Sequence, residues 1–301
     1  MSNAKKQHYV PQSYLERFNN GITGKINVFD KRILETRKNQ NIADVAENNK
    51  FYEIDDIDLE GELASIEGDF KDMIDIIIKR VKSINCFSIA NRIIFNDDLK
   101  MRFAKHLAIQ HARTVSIRNT FQTMQELIAG VLIKRTGTED TISIDKYKTK
   151  RMHLETINEE NIITKAVFFV NTYNWFIDIN KTDTPYWTSD NPVCIIGDAR
   201  GKGYTMILFP LTPNYLLRLE GKTINVKTGF STKDVYKSIN EIDLINACNI
   251  KQVEMADRCI FSNKENFSVA EKYCELVPKV RTNDYMEINP LYKRKQENKV
   301  L

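Results

Sequence analysis

The runs Phe168-Phe169-Val170, Trp175-Phe176-Ile177-Asp178, Pro185-Tyr186-Trp187-Thr188, Val193-Cys194-Ile195-Ile196, Met206-Ile207-Leu208-Phe209 and Tyr215-Leu216-Leu217-Arg218-Leu219 decide the fold. Each is short, apolar or aromatic, and turn residues separate one from the next. That texture predicts an antiparallel sheet. Upstream the period changes. Between Asp58 and Ile84 the residues Leu63, Ile66, Phe70, Ile74, Ile77, Ile78 and Val81 recur at three and four, which predicts a helix. Asn96-Asp97-Asp98 is a good helix start, and Leu99, Phe103, Leu107 and Ile117 share a face of a pattern that runs to about Arg135 and stops at Thr136-Gly137. Leu154 to Lys165 also reads as helix, whereas Thr141 to Thr149 fits neither period.

One strand precedes this helical block: Lys25-Ile26-Asn27-Val28-Phe29-Asp30 alternates, after the turn Asn20-Gly21-Ile22-Thr23-Gly24. The remaining stretch to Asn49 is polar. Near the end a helix is expected over Asp234 to Asp257, then a strand at Arg258-Cys259-Ile260-Phe261 and a short helix from Asn266. Helices set between a first strand and a run of later strands imply α+β, not alternating βαβ units. The expected architecture is a mainly antiparallel sheet from the second half, joined by the first strand and packed against a block of long helices.

At 301 residues the length alone suggests about two domains. With only 11 Gly and 7 Pro there is little material for linkers, so a single unit over 1–301 is expected, with a helical block over about 55–165 and a sheet-rich half over about 166–301. The formal net charge of +4 is mildly basic and far from a dedicated nucleic-acid coat. The run Tyr292-Lys293-Arg294-Lys295 reads as a solvated tail. Cys86, Cys194, Cys248, Cys259 and Cys274 are odd in number, scattered and free of any C-x-x-C pair. With no secretory pattern at the start, they fit reduced thiols in the cytoplasm. The abundance of Lys, Ile and Asn hints at a bacterial source. No apolar run approaches the ~18 residues of a membrane span.

Several motifs follow one another in an order that identifies a family. They begin with Gln7-His8-Tyr9-Val10-Pro11-Gln12, then Tyr14-Leu15, Phe18, Val28-Phe29-Asp30-Lys31 and Phe51-Tyr52. Gln110 and Arg113-Thr114 come next. Thr188-Ser189-Asp190-Asn191-Pro192-Val193, Phe209-Pro210-Leu211-Thr212-Pro213, Asn246, Arg258 and Phe261-Ser262 complete the series. This combination resembles the family called domain of unknown function 4238, over nearly the whole chain. The resemblance implies one full-length unit and carries no reaction. It departs at Val115, where the family commonly has proline after the Arg-Thr pair, a residue that marks a helix boundary or kink.

Three groups of residues could carry chemistry. His8 could act as acid, base or ligand. Its segment His8-Tyr9-Val10-Pro11-Gln12-Ser13-Tyr14-Leu15 looks like the H-I-V-P-Q-S-F-L segment of some His-Asn-His nucleases, although Gln7 stands where those have Asp. The plainer alternative is that His8 and Tyr9 anchor the N-terminus while Pro11 starts a short helix. His106, Gln110 and Arg113 at i, i+4 and i+7 share one side of a helix beside an apolar stripe. A buried arginine there needs a partner, either an anionic substrate or a carboxylate of the sheet such as Asp190. In Thr188-Ser189-Asp190-Asn191-Pro192, Asp190 could serve as base or metal ligand and Asn191 as an orienting donor. The alternative is an ordinary turn closed by local side-chain bonds.

The favoured reading is therefore a hydrolase, a nuclease or phosphodiesterase, acting on a phosphodiester or other anionic substrate. It places His8, Asp190 and Asn191 as catalytic and Arg113, Gln110, Tyr9 and His106 as substrate-binding. A divalent metal is the one cofactor this reading would bring. There is no Walker loop, no G-x-G-x-x-G (Gly201-Lys202-Gly203 reads as a turn), no H-E-x-x-H, and no haem or structural-zinc signature. The partner is nucleic acid or a small anionic ligand. Two alternatives stay open: a non-enzymatic module that binds an anionic ligand, and an interaction protein whose motifs are structural anchors.

Overall fold

The computed structural model describes residues 6–54, 57–84, 94–136, 145–197, 204–222 and 236–282. The chain opens with β1 (Lys6–His8), α1 (Gln12–Leu15), β2 (Lys25–Asp30), β3 (Glu35–Asn41), β4 (Glu47–Asn49), β5 (Glu53–Ile54) and β6 (Ile57–Asp58). A helical run follows: α2 (Glu60–Lys82), α3 (Asp97–Ala112), α4 (Val115–Thr136), α5 (Lys146–Glu155) and α6 (Glu159–Thr172). Then come β7 (Tyr173–Asn180), β8 (Thr188–Ser189), β9 (Cys194–Gly197), β10 (Tyr204–Thr212), β11 (Tyr215–Gly221) and β12 (Tyr236–Ile239). The last elements are α7 (Ile242–Met255), β13 (Cys259–Ser262) and α8 (Ser268–Leu276). The class is α+β with mainly antiparallel sheets.

Five strands form one sheet in the order β12-β7-β11-β10-β9, and a second sheet has the order β3-β2-β13-β8. Every pairing in these sheets is antiparallel except β12 on β7, which is parallel. Among the described residues the expected single sheet is thus two larger sheets, beside the two-stranded pairs β1-β4 and β5-β6. The strand expected first, β2, does not join the β12-β7-β11-β10-β9 sheet. It pairs with β13, drawing that strand and β8 into a sheet of its own. β3 was hidden because its sequence, Glu-Thr-Arg-Lys-Asn-Gln-Asn, has no apolar alternation, and most of it faces solvent. An edge strand of charged and amide side chains is a common guard against edge-to-edge pairing.

One strand expectation and three helical ones also shift. Phe168-Phe169-Val170 is the last turn of α6, not a strand, and the sheet starts at Tyr173. Phe169 is buried while Phe168 stays 44% exposed, so this apolar triplet serves one helix face. Residues 154–165 span the end of α5 and the start of α6, where Asn158 caps the new helix by accepting from the Asn161 amide. The long helix expected from Asn96 to Arg135 breaks at Arg113, which closes α3, and α4 begins at Val115 without the proline. The start of the expected 234–257 helix is partly strand β12, and the helix proper opens at Ile242. Cys86, Gly201-Lys202-Gly203, residues 141–144 of the ambiguous stretch and the run at 292–295 lie outside the described residues.

The main core gathers α2, α3 and α6 with β7, β10 and β11. Tyr14 of α1 sits within it, with ring centroids 5.5 Å from Phe18, 6.2 Å from Phe70 and 5.1 Å from Phe209. Each such fully buried aromatic or leucine stabilises the fold by about 1.5–3 kcal/mol. The Tyr14 hydroxyl reaches the Pro210 carbonyl at 2.6 Å and the Thr188 hydroxyl at 2.8 Å. It therefore ties the N-terminal segment to both sheets. Among the described residues no helix is long and apolar enough to cross a membrane.

Candidate functional site

The N-terminal motif is held mainly through backbone and amide groups. β1 pairs with β4, and the Tyr9 amide donates to the Ala46 carbonyl at 3.0 Å. Gln7 Oε1 accepts the Tyr52 amide at 2.6 Å. Gln110 Nε2 donates to the Tyr9 carbonyl at 3.1 Å, and Arg113 Nη2 donates to the His8 carbonyl at 2.5 Å. Arg113 Nε also donates to the Tyr52 hydroxyl at 2.9 Å and Nη2 to Glu67 Oε1 at 2.9 Å. Its carboxylate partner is thus Glu67 of α2, not Asp190 of the sheet. Burial works against the charged Arg113, and Tyr52 and Glu67 outweigh it, so the guanidinium stays ionised. Only 3% of Arg113 is exposed, which leaves its fork closed on protein groups.

The His8 ring is half-buried. Its Nδ1 lies 3.4 Å from Gln12 Nε2, and Nε2 has no hydrogen bond of full geometry. Burial lowers its pKa, opposed by the Ala43 carbonyl. Pro11 stands at the start of α1, as expected. Beside this segment is an open cleft of about 510 Å³, lined in part by Gln12, Ser13, Glu16, Lys25 and Asp44. Burial raises the Tyr9 hydroxyl well above its ordinary pKa, with Asp190 and Asp257 adding to the shift.

Asp190 and Asn191 make a different set of contacts. The Asp190 carboxylate accepts three amides: Asp257 at 2.7 Å, Arg258 at 2.8 Å and Cys259 at 2.8 Å. Its own amide donates to the Cys259 carbonyl at 3.0 Å. Burial and the charge of Asp257 raise its pKa, while the amides of Cys259 and Arg258 and the ammonium of Lys31 pull it back. Asn191 Nδ2 donates to the Met255 carbonyl at 2.8 Å, and Asn191 Oδ1 is buried without a partner. The motif closes a local turn, with the Asn191 amide donating to Ser189 Oγ at 3.2 Å, and also bonds across more than sixty residues of chain. It clamps the segment where α7 ends and β13 begins. Lys31 completes the clamp, because Nζ donates to the carbonyls of Val253 (3.0 Å) and Ala256 at the C-terminal end of α7.

His106 stands apart from both sets. Its Nε2 is 3.0 Å from Asp69 Oδ2, and its ring stacks on Phe70 at 5.1 Å. Burial lowers its pKa, with Asp69 opposing. It lines a cleft of about 620 Å³ between α2, α3 and α6, whose walls include Leu63, Ile66, Ile109 and Ile162. The charged lining is Arg102 and Lys105 against Glu62, Asp69 and Glu159, so this cleft presents no net positive face. Arg102 is already bonded to Asp69. Among the described residues no cluster of His, Cys, Asp and Glu could hold a metal ion.

A basic face that the sequence reading passed over lies where α4 meets α5. Helix α5 reads Lys-Tyr-Lys-Thr-Lys-Arg-Met-His-Leu-Glu, and its Asp145 cap accepts the amides of Tyr147 and Lys148. Lys146, Lys148 and Arg151 are exposed, as is Tyr147. The one acid of the helix, Glu155, pairs with Arg151 at 3.0 Å. From α4, Arg118 lies 3.6 Å over the Phe51 ring and donates to the Phe51 carbonyl at 2.7 Å. Its Nε and Nη2 both lie close to His153 Nδ1, at 3.2 and 3.1 Å. His153 Nε2 is 2.8 Å from the Ala112 carbonyl at the end of α3, so this ring is the neutral tautomer protonated on Nε2. Four basic residues within Lys146–Arg151 were the available signal for this face.

The described residues place the expected site residues in three settings. Tyr9, Gln110 and Arg113 meet around the N-terminal strand with the His8 carbonyl, Asp190 and Asn191 clamp the end of α7, and His106 lines a cleft. The family described as "Protein of unknown function (DUF4238)" matches residues 6–266. No curated protein and no solved structure matches the chain.

Proposed function

From a chain that belongs to the DUF4238 family, whose description assigns no activity, we propose a non-enzymatic module that binds an anionic, phosphate-bearing partner. In this reading the family motifs are the scaffold and the basic face of α5 meets the partner. The observation that carries it is α5 itself: Lys146, Lys148, Lys150 and Arg151 against one acid, with Tyr147 exposed among them. Phosphate chains are attracted to such a concentration of cations, and an exposed aromatic ring can stack on bases. The scaffold role is supported by where the motif atoms go. Arg113 bonds to Tyr52, Glu67 and the His8 carbonyl, and Asp190 to three amides. A nucleic-acid strand is the partner this surface suits best.

Catalysis keeps one specific observation in its favour, the His106–Asp69 pair within the 620 Å³ cleft. A neutral imidazole oriented by a carboxylate is the arrangement of a general base. The catalytic assignment of His8, Asp190 and Asn191 belongs to this second reading.

The test is fluorescence anisotropy of a labelled single strand of mixed sequence, with Mg²⁺ present and the strand recovered afterwards. Wild type should bind it, leave it intact, and lose roughly tenfold or more in affinity in Lys146→Gln/Lys148→Gln, since these two cations sit on the proposed surface. Cleavage abolished by His106→Asn at unchanged melting temperature would favour the enzyme. Binding indifferent to the lysine changes would remove the α5 reading.

A further inference from the structure

Arg118 is a half-buried cation without a counter-ion. Among the described residues it makes no ion pair, and its hydrogen bonds go only to the neutral His153 ring and to the Phe51 carbonyl. Its Nη1 bonds to none of them. Burial pulls the guanidinium pKa down to about 10, and the only opposing influence is Tyr52. A cation taken partly out of water ordinarily has an anion beside it. The other buried arginine of this region, Arg113, follows that rule through Glu67.

Lys150 lies next to it. Its Nζ donates to the Lys50 carbonyl at 2.7 Å, while Arg118 Nη2 donates to the following carbonyl, Phe51, also at 2.7 Å. Two cations are therefore pinned to consecutive peptide groups. Burial lowers the Lys150 pKa, the Arg118 charge adds to that, and Glu53 opposes it. Glu53 is shared with Lys50, which it meets at 3.0 Å. The ring of Phe51 under the guanidinium and the two His153 contacts hold the fork in one orientation. With Nε and Nη2 engaged on His153 and Phe51, the Nη1 group is held in place with its N–H donors unspent, and beside the Lys150 ammonium it offers an oxyanion hydrogen bonds and a second positive charge.

We infer that Arg118 and Lys150, with His153 and Phe51 positioning the guanidinium, form a binding seat for a phosphate group. The inference rests on the phosphate-bearing partner proposed above and gives that partner its point of attachment. The phosphate reaches the seat either within a nucleic-acid strand or as a free polyphosphate, and the chemistry of recognition is the same. Lys146, Lys148 and Arg151 on the exposed side of α5 extend the seat for a chain and are not needed by a small ion.

The experiment is isothermal titration of the full chain with inorganic pyrophosphate at fixed ionic strength, in parallel with single-strand binding. Wild type should bind pyrophosphate. Lys150→Gln should weaken it roughly tenfold, because one charge-assisted bond is lost. Arg118→Lys keeps the charge without the fork and should weaken it at least as much. Lys146→Gln/Lys148→Gln should leave pyrophosphate binding unchanged while weakening the strand. Lys150 is on the surface side of the seat, so its variant tests the inference even if Arg118→Lys folds poorly. Pyrophosphate binding absent in wild type, or equal in wild type and Lys150→Gln, overturns the seat. If the strand still depends on Lys146 and Lys148, the α5 surface survives that result. If pyrophosphate binds through Lys150 and the strand does not bind, the seat stands and the nucleic-acid partner falls.

Discussion

Replacing Asp190 by alanine tests the scaffold role of the S-D-N-P motif. Its carboxylate accepts the amides of Asp257, Arg258 and Cys259 at 2.7, 2.8 and 2.8 Å, and only 2% of the residue is exposed. A buried donor left unpaired costs about 1–3 kcal/mol. Water entering the vacated space can recover part of that at the two half-buried amides, so the expected loss is about 3–5 kcal/mol. This is a large share of a total stability of about 5–15 kcal/mol. Urea unfolding followed by far-ultraviolet circular dichroism and by tryptophan fluorescence reads it directly. Trp187 lies one β-strand residue from the motif, and its amide bonds Asn249 of α7 at 2.8 Å. The midpoint should fall with the slope unchanged, because the native contacts change and the unfolded chain does not. Asp190→Asn keeps one acceptor oxygen but turns an NH₂ toward amide donors, so it should also lose stability. A loss below about 1 kcal/mol for alanine would refute the argument, since even one unpaired amide costs that much.

Other outcomes follow from the same geometry. Glu67→Ala leaves Arg113 buried without its carboxylate and should cost about 2–3 kcal/mol in chemical denaturation, the low side for a broken pair because 28% of the Glu67 side chain is exposed. Tyr14→Phe removes the contacts to Pro210 and Thr188 while keeping the ring packing, and should lower stability by about 1–2 kcal/mol in thermal melts. Burial lowers the pKa of all four histidines, His8, His106, His111 and His153, the last to about 3. The unfolded chain therefore takes up these protons first. Stability from the neutral rings is complete above about pH 6.5 and is lost as pH falls toward 3, at up to about 1.4 kcal/mol per pH unit for each ring. His153→Gln should flatten the lower part of that profile, and an unchanged profile would remove His153 as its source.

How much of this was legible differs by element. The period of Leu63, Phe70, Ile74, Ile77 and Val81 gives α2 because each of these residues is buried along one helix face. The aromatic and aliphatic runs from Trp175 to Leu219 give β7, β10 and β11 for the corresponding reason. β3 was invisible because an exposed edge strand has no apolar alternation to show. Phe168-Phe169-Val170 misled because a short apolar run reads alike in a strand and at a helix end. The separation into two sheets depends on β2 meeting β13, a pairing across more than two hundred residues that no local pattern encodes. At the site, residue type marked Arg113 as a group that needs a partner, with an anionic substrate or Asp190 as the candidates. The partner is Glu67, and Asp190 instead takes the amides of 257–259, contacts distant in sequence that no local pattern encodes. The basic density of Lys146–Arg151 was present in plain view. Arg118 and His153 gain their meaning only when α4 and α5 are packed together.

The most direct measurement is the affinity of the full chain for a labelled single strand across a range of salt concentrations. Each phosphate neutralised contributes about −0.7 to the slope of log K against log salt for single strands. Contacts from Arg118, Lys146, Lys148, Lys150 and Arg151 predict a slope of about −3.5, reduced in magnitude by about 1.4 in Lys146→Gln/Lys148→Gln. A slope near zero, or one that the double substitution leaves unchanged, would contradict the account.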